Sequence, residues 1–255
     1  MDISVITPSC RIDALEMVQK CLQKQTFPRN DWEWICGTPF EYKNADVWVK
    51  DPGKKEGNFY SLCATYNAML RVAKGKLIIS LQDGIWIEPD TLQHFWDLYQ
   101  DNSMRCVGAV GDQYEKLDEF GKPTVCCWQD PRRTTKHGEY YEINPVDLEW
   151  TLASFPRKSL LDCKGFKQNW DKFAALSEKE LNARIDRLGY RFFLDQGLIY
   201  RALKHDRLGG VGEWDKKYEE GWKYFEQCIK EINHGEGLEG DLWLESTQEQ
   251  KNTNE

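Results

Sequence analysis

The chain has 255 residues, with 34 Lys and Arg against 42 Asp and Glu, a formal net charge of −8. At 40% hydrophobic residues, with 11 each of Trp, Tyr and Phe, it is too apolar for a disordered chain and too acidic for a general polyanion binder. No run approaches the roughly 20 apolar residues of a membrane helix, and the first residues show no basic segment leading into an apolar one, so neither a span nor a secretion signal is expected.

In chain order, residues 3–7 form a β-branched run closed by Pro8, a buried strand ending in a turn. Residues 13–23 carry Leu15, Val18, Cys21 and Leu22 on one helical stripe. Residues 32–36 and 45–49 read as strands, stopped by Gly37-Thr38-Pro39 and Asp51-Pro52-Gly53. Residues 61–73 are helical by periodicity, with Gly75 after them. Residues 76–81 are apolar on both faces, as a central parallel strand is. A helix over 90–99 and a strand over 106–110 follow. This alternation predicts a parallel α/β sheet with right-handed crossovers and ligands at the carboxyl ends of its strands.

The second half is less regular. Residues 111–147 form a long polar stretch, a length uncommon in a structureless connection unless it is functional. Residues 149–155 return to the sheet, 157–161 form a short helix, and 178–188 and 218–232 are amphipathic helices. The final residues are polar and frayed. No internal repeat is present. The nine cysteines form no C-x-x-C pair, so reduced thiols and a cytoplasmic location are expected.

The chemistry converges on Leu81-Gln82-Asp83-Gly84. A carboxylate just after a central strand lies at the mouth of the sheet, where it can hold a hard cation bridging phosphates. Taken alone, an Asp-Gly in that place is more often a turn former. Its surroundings are Thr7-Pro8 with Arg11, then Asn67 ahead of Gly75-Lys76 and the 76–81 strand, then Pro89 and Leu92. Later come Phe155-Pro156-Arg157, Gly165-Phe166, and Glu178, Leu181 and Arg184 with Gly189. In order and spacing this resembles glycosyltransferase family 2 over residues 3–205.

The resemblance implies a GT-A fold: a Rossmann-like, mostly parallel α/β sheet flanked by helices. Residues 1–235 would form one domain, with a nucleotide-sugar-binding half (1–110) and an acceptor and catalytic half (111–235), followed by a polar tail (236–255). It implies a nucleoside-diphosphate sugar, a UDP-sugar above all, as donor, a hydroxyl acceptor, and Mn2+ or Mg2+ held by Asp83 and His205. In register with Leu181 and Arg184, Glu178 falls on the general base of inverting members; the plain alternative is a capping or surface charge. Donor contacts are expected from Thr7, Pro8, Arg11, Gly37, Lys54, Lys55, Asn67, Gln82 and Asp83. Arg132 and Arg133, in the polar stretch, could grip phosphate as a bidentate pair. Trp86, Trp150 and Trp170 are expected near the cleft, although core filling is the commoner role for Trp.

The chain departs from the family pattern in three segments. Gln82 and Gly84 flank Asp83 where acids are usual, Cys36-Gly37-Thr38 stands where an acid commonly reads the base, and Lys167 follows Gly165-Phe166 where an acid is usual. Base recognition then falls to the backbone at Pro8 and Gly37 and to Asp51 or Phe59-Tyr60. The acceptor is a glycan, a lipid-linked sugar or, as in soluble bacteriophage sugar transferases, a modified DNA base. Rival readings are a non-catalytic nucleotide-sugar-binding module and a nucleotidyltransferase, though Thr7-Pro8-Ser9-Cys10 is not the Gly-rich basic loop that the latter requires.

Overall fold

The computed structural model describes residues 1–53, 61–118, 120–133, 139–173, 176–204 and 211–243, with the backbone alone for 211–215. The strands are β1 (Ile3–Pro8), β2 (Trp32–Thr38), β3 (Val47–Lys50), β4 (Leu77–Leu81), β5 (Ile85–Ile87), β6 (Arg105–Tyr114), β7 (Cys126–Trp128), β8 (Tyr140–Glu142), β9 (Leu152–Pro156) and β10 (Arg191–Leu203). The helices are α1 (Ile12–Leu22), α2 (Leu62–Val72), α3 (Thr91–Asp101), α4 (Arg157–Asp162), α5 (Ser177–Arg187) and α6 (Val211–Asn233).

All ten strands join one sheet of order β3-β2-β1-β4-β9-β6-β10-β5, with β7 paired to β6 and β8 to β10. The β3-β2-β1-β4 half is parallel, as the alternation of strands and helices requires. β9 then enters antiparallel between β4 and β6, so the centre of the sheet is mixed. β1 and β4 are buried along their whole length because both faces are covered. Ile3 and Val5 of β1, with Leu77, Ile79 and Leu81 of β4, pack on one face with Leu15, Val18 and Phe95 of α1 and α3. Ile6 and Ile78 pack on the other with Tyr66, Phe166 and Leu181. At about 1.5–3 kcal/mol for each large apolar side chain fully buried, these two layers are the main stabilising term.

Three differences from the sequence reading have plain physical causes. β10, the longest strand, was not foreseen. Its Phe192, Leu194, Leu198, Tyr200 and Ala202 are buried at even positions, but Asp195, Gln196 and Gly197 interrupt the apolar run. The register against β6 jumps there from Asp195 to Ile199, a bulge whose Asp195 accepts from the Gly197 N–H at 2.7 Å. The three-residue β5 went unnoticed for its brevity. Third, the 111–147 stretch is built in part as the end of β6, β7 and β8.

The packed body also runs beyond residue 235. The Gly240 N–H donates to the Cys163 carbonyl at 2.8 Å, that of Asp241 to Phe166 at 2.9 Å and that of Leu242 to Lys164 at 2.8 Å. The Leu242 side chain is fully buried. Gly240 is required there, since a Cβ would stand 2.1 Å from the Gly165 carbonyl oxygen.

Candidate active site

β1 and β4 are parallel neighbours, so their carboxyl ends open side by side, β1 into Ser9-Cys10-Arg11 and β4 into Gln82-Asp83-Gly84. These two short turns meet. Arg11 donates to Asp83 through Nε (3.1 Å, to Oδ2) and Nη2 (2.6 Å, to Oδ1), and the Ser9 hydroxyl donates to Oδ2 at 2.5 Å. Ser9 Oγ also accepts from the Arg11 N–H at 3.0 Å, holding the turn that starts α1. Gly84 takes φ +71°, where only glycine is comfortable, and its open side lies 3.6 Å from Arg11 Nη2. Its carbonyl accepts from the Leu203 N–H at 2.8 Å, which ties the end of β10 to the same turn.

Burial works against the Arg11 charge, but the Asp83 carboxylate outweighs it and keeps the guanidinium protonated. The half-buried Cys10 thiol is pushed up by burial and then by Asp83, with Arg11 pulling the other way and Asp51 adding to the rise. Arg11, Asp83, Cys10 and Asp51 therefore share one electrostatic neighbourhood. Asp51 follows β3 and is 4% exposed; its Oδ1 accepts from Ser61 Oγ (2.8 Å), Thr65 Oγ1 (3.0 Å) and the Gly53 N–H (2.8 Å). Among the described residues its Oδ2 is buried with no hydrogen-bond partner.

Other sequence-named donor contacts form the walls. Thr7 and Pro8 pair with Cys36 and Gly37 across β1 and β2, and the Thr7 hydroxyl accepts from Trp34 Nε1 at 3.0 Å. The Gly37 carbonyl accepts from the Ser9 N–H at 2.9 Å, and a Cβ on Gly37 would lie 2.4 Å from Thr65 Cγ2. Asn67 is turned away from the mouth: its Nδ2 donates to the Phe166 carbonyl and its Oδ1 accepts from the Phe166 N–H, both at 2.8 Å. Lys54, Lys55, Phe59, Tyr60 and His205 lie outside the described residues.

Leu176, in a left-handed conformation (φ 80°), precedes α5, and Glu178 occupies its first turn. The half-buried Glu178 carboxyl accepts from Ser177 Oγ at 3.2 Å. Burial raises its pKa; its own N–H and Ser177 oppose this, and the nearby Glu149 carboxylate adds to the rise. Tyr66 connects the two sides. Its hydroxyl contacts Ser80 Oγ at 3.1 Å, and its pKa, driven up by burial, is lowered by a hydrogen bond with Gln82 and raised by the charge of Glu178. α5 is latched in place by Asn182, which accepts from Trp150 Nε1 at 3.0 Å and donates to the Leu148 carbonyl at 2.9 Å. The same segment continues to Thr151, whose carbonyl accepts from the Gln82 N–H at 3.0 Å.

The arginine pair behaves differently from its sequence reading. Arg132 is held by the buried Asp130 at 2.6 Å and by Glu149 at 3.2 Å, and Arg133 is ion-paired with Asp112. Burial disfavours the charge of Asp130, yet Arg132 keeps its carboxyl below the usual range. Both guanidinium groups are thus already matched to carboxylates, and Arg132 supports Glu149 beside Glu178. The three tryptophans expected near the cleft are core residues. Trp150 stacks on Phe155 at 4.1 Å and packs edge-on to Tyr66, Trp170 packs with Phe173 and Tyr224, and Trp86 lies beneath Gly121 and Lys24. Ser9, Tyr66 and Glu149 were missed by sequence reasoning. Only Ser9 had a signal, its place just after Thr7-Pro8.

A divalent cation needs open oxygen ligands. Ser9 and Arg11 fill three of the roughly four acceptor positions of the Asp83 carboxylate, and Gln82 and Gly84 add no carboxylate. Among the described residues no three His, Cys, Asp or Glu side chains converge as metal ligands. As arranged, these described residues do not fit Mn2+ or Mg2+.

No protein-family model and no curated protein matches the sequence. Solved structures do match. The mannosyltransferase PcManGT from Pyrobaculum calidifontis, in complex with GDP-Man and Mn2+, superposes with a TM-score of 0.62 at 16% identity, over 96% of this chain and 70% of that one. S. aureus TarS 1-349, in complex with UDP-GlcNAc, gives 0.59 at 13% identity, over 90% and 66%. A further TarS structure gives 0.56 at 13% identity, over 80% of this chain but 37% of that one, so the chain spans little more than a third of that relative. The fold is thus shared with the mannosyltransferase PcManGT and with TarS.

Proposed function

We propose that the protein is an inverting glycosyltransferase, moving a sugar from a nucleoside diphosphate, a UDP-sugar first among the candidates, to a hydroxyl acceptor. The observation that carries this reading is that Tyr66 senses both Gln82, beside Asp83, and Glu178, so two unlike groups share one neighbourhood. At the carboxyl ends of β1 and β4 stands a turn in which Arg11 is ion-paired with Asp83 beside Ser9. Near Tyr66, Glu178 is a carboxyl whose pKa is raised by burial and by Glu149. As the acceptor oxygen bonds to the anomeric carbon, the bond from that carbon to the phosphate oxygen breaks. Its electron pair leaves with the nucleoside diphosphate, and the acceptor proton passes to Glu178. Thr7, Pro8, Gly37 and Gln82 line the donor side in this reading, with Asp51 available to a base N–H.

Among acceptors, glycan or lipid-linked hydroxyls are favoured over duplex DNA. Binding along duplex DNA needs many clustered Lys and Arg, which a chain of net charge −8 does not favour. The test is a thermal-shift screen of nucleoside diphosphates and their sugars, followed by donor turnover. A ligand at about 100 times its Kd should add about 2.7 kcal/mol to stability. Glu178→Gln should keep that shift and lose about 100- to 10,000-fold in turnover. Stabilisation by none of these nucleotides overturns the reading.

A further inference from the structure

We infer that Arg11, positioned by Asp83, supplies the positive charge that faces the donor diphosphate, and that this chain binds its nucleotide without a divalent cation. The inference rests on the nucleotide-sugar reading above and departs from the metal that the resemblance to family 2 implies. Two independent observations carry it. In sequence, only one carboxylate survives in Gln82-Asp83-Gly84. In the structure, that carboxylate is spent: Arg11 grips both its oxygens, at 2.6 and 3.1 Å, and Ser9 takes a further position at 2.5 Å.

The geometry of the guanidinium suits the task. Arginine has five N–H donors in a planar fork, and only the Nε and Nη2 edge is used on Asp83. Nη1 makes no hydrogen bond among the described residues, and the side chain is 26% exposed at the mouth of the sheet. A carboxylate that anchors one edge of the fork fixes the direction of the other, so less rotamer freedom is lost when phosphate oxygens bind. α1 begins at Ile12, directly after Arg11, with its positive dipole end at that turn. Asp83 is then a positioning residue, and the cation that offsets charge developing on the leaving diphosphate belongs to the protein.

The test is isothermal titration of UDP, GDP, ADP, CDP and dTDP into the purified protein, in excess EDTA and in excess MnCl2. For the nucleotide that binds best, the two Kd values should agree within about threefold. Arg11→Ala should weaken binding in EDTA by about 10- to 100-fold, the loss of charge-assisted hydrogen bonds. It also frees Asp83, so MnCl2 should recover part of that affinity, an effect absent from the wild type. Should Arg11→Ala fail to fold, Asp83→Asn decides: it loosens the hold on Arg11, so affinity should fall by a similar factor in EDTA and in MnCl2, whereas a metal site would lose only its MnCl2-dependent binding. A tenfold or greater loss of wild-type affinity in EDTA overturns the inference and leaves the transferase reading standing, as does an Arg11→Ala variant that binds normally in EDTA. Binding of no nucleotide in either buffer overturns the transferase reading itself.

Discussion

Glu178 lies partly out of water beside another carboxylate, and both facts favour its protonated form. Folding therefore raises its pKa above the unfolded value of about 4.3. A group shifted upward contributes stability that is complete below the unfolded pKa and disappears as pH rises through the folded one. Glu178→Gln should accordingly raise the thermal midpoint at neutral pH, with the gain vanishing below about pH 4.3. The same shift places the acid limb of wild-type turnover above that value, and a pH-rate profile of Glu178→Gln should lack the limb. Asn67 makes the opposite case at this scale. Its amide satisfies both backbone groups of buried Phe166, so Asn67→Ala should lower the urea midpoint, at about 1–3 kcal/mol for each group left unpaired. An unchanged midpoint would refute that structural role.

At the scale of the element, α5 was legible because Leu181 and Ile185 recur on one stripe and Glu178 opens it. What its other residues do was not legible. Glu180 and Arg184 are fully buried and joined by two hydrogen bonds of 2.9 and 3.0 Å, and Lys167 reaches Glu180 at 3.0 Å. The departure at Lys167 is thereby explained: the lysine answers a carboxylate carried by α5. Removing one partner strands a buried charge, so Glu180→Ala should destabilise by about 3–5 kcal/mol in urea unfolding. The double change Glu180→Leu with Arg184→Met should recover much of that loss, because apolar residues of similar volume replace a buried pair at little cost. β10 was missed for a related reason. Its alternation of buried residues is regular, but the Asp195-Gln196-Gly197 bulge breaks the apolar run that marks a strand in sequence.

At the scale of the whole molecule, the sheet brings together residues far apart in the chain, and the clasp formed by residues 240–242 closes the back of the domain. Its polar composition suggested a tail, since hydropathy does not register backbone hydrogen bonds to Cys163, Lys164 and Phe166. Leu242 is the one apolar anchor in it. Leu242→Ala should cost about 2–5 kcal/mol, seen as a fall of about 2–4 °C in the thermal midpoint for each kcal/mol. A variant that melts with the wild type would show the clasp to be dispensable.

The sequence by itself determined the alternation of strands and helices, the parallel half of the sheet, and the positions of Arg11, Asp83 and Glu178 at the ends of elements. Those follow from local periodicity and turn chemistry, which act over a few residues. Only the tertiary structure decided what these charges face. That Arg11 closes on Asp83, that Arg132 and Arg133 are matched to Asp130 and Asp112, and that Trp86, Trp150 and Trp170 fill the core rather than the cleft depend on contacts set by sheet order. Electrostatic partnership is a property of distance in space, and 72 residues separate Arg11 from the carboxylate that it holds at 2.6 Å.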